Sequence, residues 1–158
     1  MTCPPRSAPP SRTAGDPVRR AIHLELPPRT DYLALVRRVV ATCAALQGGL
    51  SERRTDELSL AISEACANAM DGQRATGSTD PVHVDIELGP DALVVTITDH
   101  AGGFSPDEIA SPLVVEGADR LGRERGLGLP LMRDIADDLR FTRTDGGTAV
   151  RIEVRSPQ

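Results

Sequence analysis

The sequence contains no lysine, and all 18 of its basic residues are arginine. A chain without lysine cannot be a P-loop NTPase, cannot supply the strand lysine of eukaryotic-type protein kinases, and cannot form a lysine Schiff base. No apolar run approaches the ~20 residues of a membrane span, and the N-terminal stretch has no apolar segment typical of a secretion signal. We therefore expect a cytoplasmic protein without membrane contact.

Cysteine is also scarce, and positive charge is outweighed by negative charge. The three cysteines, Cys3, Cys43 and Cys66, form no CxxC or Cys/His metal spacing, so we expect Cys43 and Cys66 to be small buried residues on helices. The net charge of -5 argues against a nucleic-acid-binding surface. The length of 158 residues fits one domain with a substantial core.

Residues 1–20 hold five prolines, four arginines and almost nothing apolar. Such a segment offers too little hydrophobic surface to offset the entropy lost on ordering, so we expect a disordered tail. The folded domain should then comprise residues 21–158. Its first element is a strand, because "AIHLELP" alternates apolar and polar residues.

Two helices should follow this strand. Apolar residues recur at helical spacing in the first, which we expect Thr30 or Asp31 to cap and Gly48 to end. Those apolar residues are Leu33, Val36, Val40 and Cys43. The second helix should start at Ser51, because serine is a good N-cap and Glu52 suits the first turn.

The second half of the chain predicts two hairpins with a helix between them. "VHVDIEL" and "ALVVTITD" flank a "GPD" turn, and "RFTRTDGGTAVRIEV" turns at residues 145–147. Residues 100–124 form an uncommonly long loop. "GLGLPLMRDIADDL" enters a helix with Pro130 in its first turn. The residues spaced for burial in this helix are Leu131, Ile135 and Leu139.

This order of elements predicts a two-layer α/β sandwich, in which a mixed, mostly antiparallel sheet carries all helices on one face. Within the second helix, one narrow stripe of polar residues borders the apolar face instead of opposing it. The stripe comprises Glu57, Glu64, Asn68 and Asp71, and we expect Ser59, Ser63 and Ala67 to face away from the core. The stripe indicates a cleft wall, and an ordinary helix flank is the alternative.

Three segments of the chain combine polar residues with glycines, namely "SEACANA", "TDHAGGF" and "RERGLGLPLM". In this order, over roughly residues 21–155, they resemble the histidine-kinase-like ATPases, the superfamily of gyrase, Hsp90 and histidine kinases. The similarity is closest to the small RsbW-like anti-sigma factors, which are also serine kinases. The resemblance implies the histidine-kinase-like ATPase fold, with ATP and Mg²⁺ as cofactors.

The first segment looks like the box that supplies the magnesium ligand. An Mg²⁺ ion that bridges phosphates needs only one or two protein oxygens, and the Asn68 carbonyl is suitable. One turn earlier, Glu64 is placed to accept the proton of an attacking hydroxyl, which makes it the candidate catalytic base.

The other two segments look like the two glycine boxes. The resemblance implies that Asp99 accepts a hydrogen bond from the adenine amino group, while Gly103 lets the base approach the backbone. A strand followed by a glycine turn is the structural alternative. Gly126, Leu127 and Gly128 precede a helix whose free N–H groups and dipole favour phosphates. Arg123 and Arg125 are candidates for charge-assisted contacts or are solvated loop residues.

Two positions depart from the family pattern. Family members commonly have histidine where this chain has Gly72, and the first glycine of the Asp-x-Gly-x-Gly pattern is Ala101 here. Alanine fits if its φ is negative, and either change is able to weaken nucleotide binding or catalysis. The 158 residues also leave no room for a phosphoacceptor helical hairpin, so we do not expect a full histidine kinase. Its three histidines, His23, His83 and His100, lie on strands or at a strand end.

The resemblance implies an anti-sigma factor that sequesters a sigma factor and phosphorylates a serine or threonine of a STAS-domain anti-anti-sigma factor. It further implies that the chain can form a homodimer. One alternative is a non-catalytic module that binds nucleotide, or has lost it, and only holds a protein partner. Another is a free-standing ATPase with water as the acceptor. Neither alternative is removed by the sequence, although Glu64 favours the kinase.

Overall fold

The computed structural model describes residues 20–102 and 128–156. Most of the predicted tail, most of the predicted long loop and the last two residues therefore lie outside the described residues. The described strands are β1 (Arg20–Leu26), β2 (Val82–Leu88), β3 (Ala92–Thr98), β4 (Asp138–Thr144) and β5 (Gly147–Arg155). The helices are α1 (Leu33–Gln47), which follows a short 3₁₀ turn at Thr30–Tyr32, α2 (Glu52–Thr76) and α3 (Gly128–Ile135).

The five described strands form one sheet in the order β1-β2-β3-β5-β4, and each neighbouring pair is antiparallel. Both predicted hairpins are present as β2–β3 and β4–β5. Strand β3 is the middle strand of these five, as its apolar residues on both faces predict. Val94, for example, is buried although it lies on the face that points away from the core cluster. The predicted two-layer α/β fold is confirmed.

Local capping explains where α2 begins and ends. Ser51 has extended backbone, and its Oγ accepts a hydrogen bond from the Arg54 N–H at 3.3 Å, which confirms the predicted N-cap. The helix runs one turn past Gly72 and stops at Gly77, whose φ of 73° is left-handed. The predicted cap of the first helix is wrong. Neither Thr30 nor Asp31 caps α1, because both lie in the preceding 3₁₀ turn and Tyr32 occupies the N-cap without a side-chain bond.

The three described helices pack on one face of the sheet and contribute to one buried cluster. The predicted apolar face of α2 is buried throughout, but Ser59 and Ser63 are buried as well, with 6% and 2% exposure. That part of the prediction is wrong because α1 packs along their side of α2. Arg37 of α1 donates a hydrogen bond to Ser63 Oγ at 2.9 Å, and Ser59 Oγ donates to the Thr55 carbonyl at 2.8 Å.

Helix α3 is shorter than its sequence pattern predicts. Pro130 lies in the first turn as expected, and Met132 and Ile135 are buried against the core. Leu139 was expected on the same helix, but it belongs to β4 and contacts the core from the sheet. The helix stops at Ile135 because the Asp137 N–H bonds the Glu153 carbonyl of β5 at 2.8 Å, which starts the strand pairing.

Burial determines the chemistry of the two described cysteines. Cys43 and Cys66 are 1% and 0% exposed, and burial raises the pKa of both thiols, that of Cys66 to about 12. Neither thiol is paired with another cysteine. Both act as small core residues, as predicted, and a thiol whose pKa is raised by burial is a poor nucleophile. Among the described helices, none is long and apolar enough to span a membrane.

Candidate functional site

In the polar stripe on α2, the side chains at the two ends have ionic partners, and the two side chains between them have none among the described residues. Glu57 pairs with Arg53 at 2.5 Å, and Asp71 pairs with Arg74, each within α2 itself. Between them, the Glu64 side chain is half-buried and that of Asn68 is exposed. Neither of these two side chains has a hydrogen-bond or ionic partner within the part of the chain that the structure describes. The middle of the stripe therefore offers two oxygen ligands that the fold does not use.

Asp99 lies directly after β3, where the start of β5 holds its carboxylate. Its Oδ1 accepts hydrogen bonds from the backbone N–H of Ala101 at 3.0 Å and of Thr148 at 3.3 Å. Its own N–H donates to the Thr148 carbonyl at 2.9 Å. Both donors go to Oδ1, and Oδ2 has no partner among the described residues. The carboxylate is thus held by one oxygen, and the other remains available as an acceptor.

Gly147 makes this arrangement possible, and the sequence pattern did not reveal it. The pattern assigned Gly147 to a turn, but it is the first residue of β5, next to Asp99. A Cβ on Gly147 would lie 1.8 Å from the Asp99 carbonyl oxygen and 2.9 Å from Oδ1. Only glycine permits so close an approach. A two-residue turn needs only one of the glycines at positions 146 and 147. The extra glycine was the signal in the sequence that could have revealed this close approach.

Gly72 and Ala101, the two residues that depart from the family pattern, lie next to each other in the structure. A Cβ on Gly72 would lie 3.1 Å from Cβ of Ala101, which is tighter than an ordinary contact. No non-glycine residue in the described ranges has a positive φ, so Ala101 meets the condition stated for alanine at this position. The turn after β3 therefore abuts α2 one helical turn beyond Asn68. This contact brings Asp99 and the stripe to the same end of the molecule.

We expect Gly72 and Ala101 to be energetically coupled. In an Ala101→Gly background, Gly72→Ala should stabilise the protein by about 1 kcal/mol, because alanine is the better helix former. In the wild-type background the methyl–methyl contact should offset most of this gain. Urea unfolding of the four proteins in this double-mutant cycle would measure the difference as a coupling of ~0.5 kcal/mol or more.

Ala75→Gly supplies the matched control for this cycle, because Ala75 is an exposed position of α2 three residues beyond Gly72. Its cost should be the same whether residue 101 is alanine or glycine. Equal effects of Gly72→Ala in the two backgrounds would show that the two positions do not interact.

Only part of the predicted phosphate-binding segment lies within the described residues. Gly128 is the first residue of α3, so the first-turn N–H groups have no acceptor within the helix itself. Arg54 near the start of α2 contacts the opposite end of α3, with 3.3 Å to the Ile135 carbonyl and 3.2 Å to the Asp137 carboxylate. These bonds anchor α3 to α2. The other predicted residues of the glycine boxes, Gly103, Arg123, Arg125, Gly126 and Leu127, lie outside the described residues.

Comparison with known proteins agrees with this geometry. The chain is 26% identical over 133 residues to the serine-protein kinase RsbW of Bacillus pumilus, covering 80% of this chain and 81% of the relative. It is 29% identical to RsbW of Bacillus velezensis at the same coverage, and 28% identical to RsbW of Listeria innocua, covering 82% and 83%. The family model described as the histidine kinase-like ATPase domain matches residues 26–154. The chain therefore belongs to the histidine kinase-like ATPase domain family.

Proposed function

We propose that the chain binds ATP with Mg²⁺ and transfers the γ-phosphoryl group to a serine or threonine of a STAS-domain anti-anti-sigma factor. In the same proposal, the unphosphorylated antagonist competes with a sigma factor that the chain sequesters. Support for the transfer comes from the site described above and from similarity to proteins named serine-protein kinase RsbW. The choice of sigma factor and STAS-domain protein as partners follows from the family resemblance.

The observation that carries the proposal is the order of groups along α2. Gly72 contacts the turn that holds Asp99, while Asn68 and Glu64 follow at one and two helical turns from that contact. At a rise of 1.5 Å per residue, they lie about 6 and about 12 Å along the helix axis from Gly72. From the turn after β3 along α2, the protein thus offers an acceptor for the base, then an oxygen for the metal, then a carboxylate for the reacting end. ATP presents its base, its metal-bound phosphates and its terminal phosphate in the same order.

Each residue of this series has a distinct task in the proposal. The Asn68 carbonyl is a ligand of the type that Mg²⁺ prefers, and its lack of a partner in the described structure leaves it free for that role. When bound, the ion neutralises charge on the phosphate oxygens. Glu64 takes the proton of the attacking serine hydroxyl. Its side chain is half-buried and has no partner among the described residues, so it is available for that role.

The nucleotide base is recognised by Asp99 in this proposal. Oδ2 is the oxygen without a described partner, and it accepts a hydrogen bond from the adenine amino group. The N-terminal end of α3 at Gly128 supplies N–H groups and a positive dipole end for the phosphates. We further propose that Gly103, Arg125, Gly126 and Leu127 complete the base and phosphate sites.

A non-catalytic nucleotide-binding module is the second candidate function. Ala101 favours it, because it adds a methyl group to the turn beside Asp99 at a position where the family pattern has glycine. In that case the chain would hold its protein partner without transferring phosphate. The arrangement of Glu64 next to Asn68 is the reason to rank the kinase first.

The two functions are separated by an assay on the purified full chain. ATP affinity is measured by calorimetry with and without Mg²⁺, and transfer of labelled γ-phosphate is followed to a STAS-domain protein and to water. We expect magnesium-dependent ATP binding and label on a serine or threonine of the STAS-domain protein. Binding without any transfer would support the module, and release of label to water alone would indicate a free-standing ATPase.

A further inference from the structure

The face of the sheet opposite the helices carries a cluster of imidazoles and carboxylates. In the β1–β2 register, His23 is opposite Asp85 and Glu25 is opposite His83. Because directly opposed residues project from the same face, these four side chains share one surface. The apolar residues that alternate with them, such as Val84 and Ile86, are buried on the helix side. The cluster is therefore separated from the nucleotide site by the thickness of the sheet.

One of the imidazoles is held in a defined orientation. His23 Nδ1 lies 2.5 Å from Asp85 Oδ1. An ionised carboxylate only accepts hydrogen bonds, so Nδ1 carries the proton and Nε2 is the nitrogen that can present a lone pair. That Nε2 lies 3.6 Å from Glu25 Oε1. A carboxylate that holds the distal nitrogen of a histidine is the usual support of a metal-binding imidazole.

The spacing of the cluster fits a first-row transition ion. His23, Glu25 and His83 each offer one ligand atom, and these atoms lie within 4.8 Å of one another. Ligands about 2.0–2.1 Å from a tetrahedral Zn²⁺ are separated by about 3.3 Å. Small side-chain rotations therefore bring the three atoms into coordination distance. His23 and Glu25 are 51% and 55% exposed, which leaves room for such rotations among the described residues.

We propose that His23, Glu25 and His83 bind Zn²⁺, with Asp85 as a positioning residue and water as the fourth ligand. Two imidazoles and a carboxylate suit zinc and its neighbours in the transition series, whereas magnesium prefers oxygen ligands alone. The site spans β1, the edge strand of the sheet that the described residues form, and its neighbour β2, so bound zinc ties the edge of that sheet to its interior. This site is independent of the nucleotide site proposed above.

The test is zinc titration of the tag-free full chain by calorimetry, without nucleotide. We expect a single Zn²⁺ per chain and a higher melting temperature with zinc. His23→Gln and His83→Gln should each remove this binding, and Asp85→Asn should weaken it by ~10- to 100-fold. Co²⁺ in place of zinc should give the intense visible absorption of four-coordinate cobalt, and Asp85→Asn should alter that spectrum, which a purely structural role would not do.

Two variants serve as matched controls. His100→Gln removes the third imidazole, whose ring is 5.4 Å from that of His83 but outside the ligand set, and Asn68→Ala removes the proposed magnesium ligand. Both should bind zinc like the wild type. Zinc binding that survives in the His23→Gln/His83→Gln double variant, equal loss in His100→Gln, or no binding by the wild type would each overturn the proposal. Circular dichroism of the zinc-free variants establishes that they are folded.

Discussion

Glu64→Gln should retain ATP binding while losing phosphoryl transfer by ~10² to 10⁴. Glutamine keeps the size of the side chain and one hydrogen-bonding oxygen, but it cannot take up the proton of the attacking hydroxyl. Because Glu64 has no partner in the described structure, the substitution breaks no hydrogen bond or ion pair there. We therefore expect unchanged stability, unchanged magnesium-dependent ATP affinity and a large fall in transfer rate.

Asn68→Ala is the matched variant, since it changes the adjacent member of the same stripe and should fail at a different step. It removes the proposed metal ligand, so ATP affinity in the presence of Mg²⁺ should fall towards the affinity measured without Mg²⁺. Calorimetry and labelled phosphate transfer on both variants distinguish loss of binding from loss of chemistry. Transfer by Glu64→Gln at the wild-type rate would remove Glu64 from the role of base.

Glu57→Gln provides the control for a carboxylate of the same helix and the same stripe. Glu57 already pairs with Arg53 on its own helix, so the proposed site does not use it. Its neutralisation should change neither ATP affinity nor transfer. An equal loss of transfer in Glu57→Gln and Glu64→Gln would indicate a general effect of the negative charge of α2 instead of a base at one position.

The second large effect concerns the choice of base. We expect the wild type to prefer ATP over GTP by several orders of magnitude, since polar mismatches in a site of this kind discriminate by ~10⁴ to 10⁵. The Asp99 carboxylate matches the amino donor of adenine and repels the carbonyl oxygen of guanine. Comparable ATP and GTP affinities by calorimetry would remove Asp99 from the recognition of the base.

Asp99→Asn should reverse part of this preference. The N–H groups of Ala101 and Thr148 both donate to Oδ1, so the amide oxygen of asparagine should take that position. The amide nitrogen then replaces Oδ2 and becomes a donor, which opposes the adenine amino group and suits the guanine carbonyl. We expect weaker ATP binding and a GTP:ATP affinity ratio higher than that of the wild type.

Asp91→Asn is the control for this change, because Asp91 is an exposed aspartate in the turn before β3, at the opposite end of the same strand. It should leave both affinities unchanged. A ratio for Asp99→Asn equal to that of the wild type would mean that Asp99 orients the turn and does not contact the base.

Periodicity and capping in the sequence were enough to determine the element types and the class of the fold. The five strands, the apolar face of α2 and the Ser51 cap all follow from interactions between residues a few positions apart. The family was likewise identified from three short motifs, which also supplied the candidate residues of the proposed nucleotide site. Predictions that depended on packing partners failed, as with the buried side of Ser59 and Ser63, because α1 covers a face that α2 alone would leave to solvent.

Only the tertiary structure decided how distant residues meet. The contact between Gly72 and Ala101, the hydrogen bond from the Thr148 N–H to Asp99 Oδ1, and the approach of Gly147 to Asp99 join segments separated by 29 to 49 positions in the chain. The histidine cluster depends in the same way on the register of β1 against β2, since a slip of one residue would turn His83 towards the core. Such contacts follow from sheet register and helix packing, which no local pattern encodes.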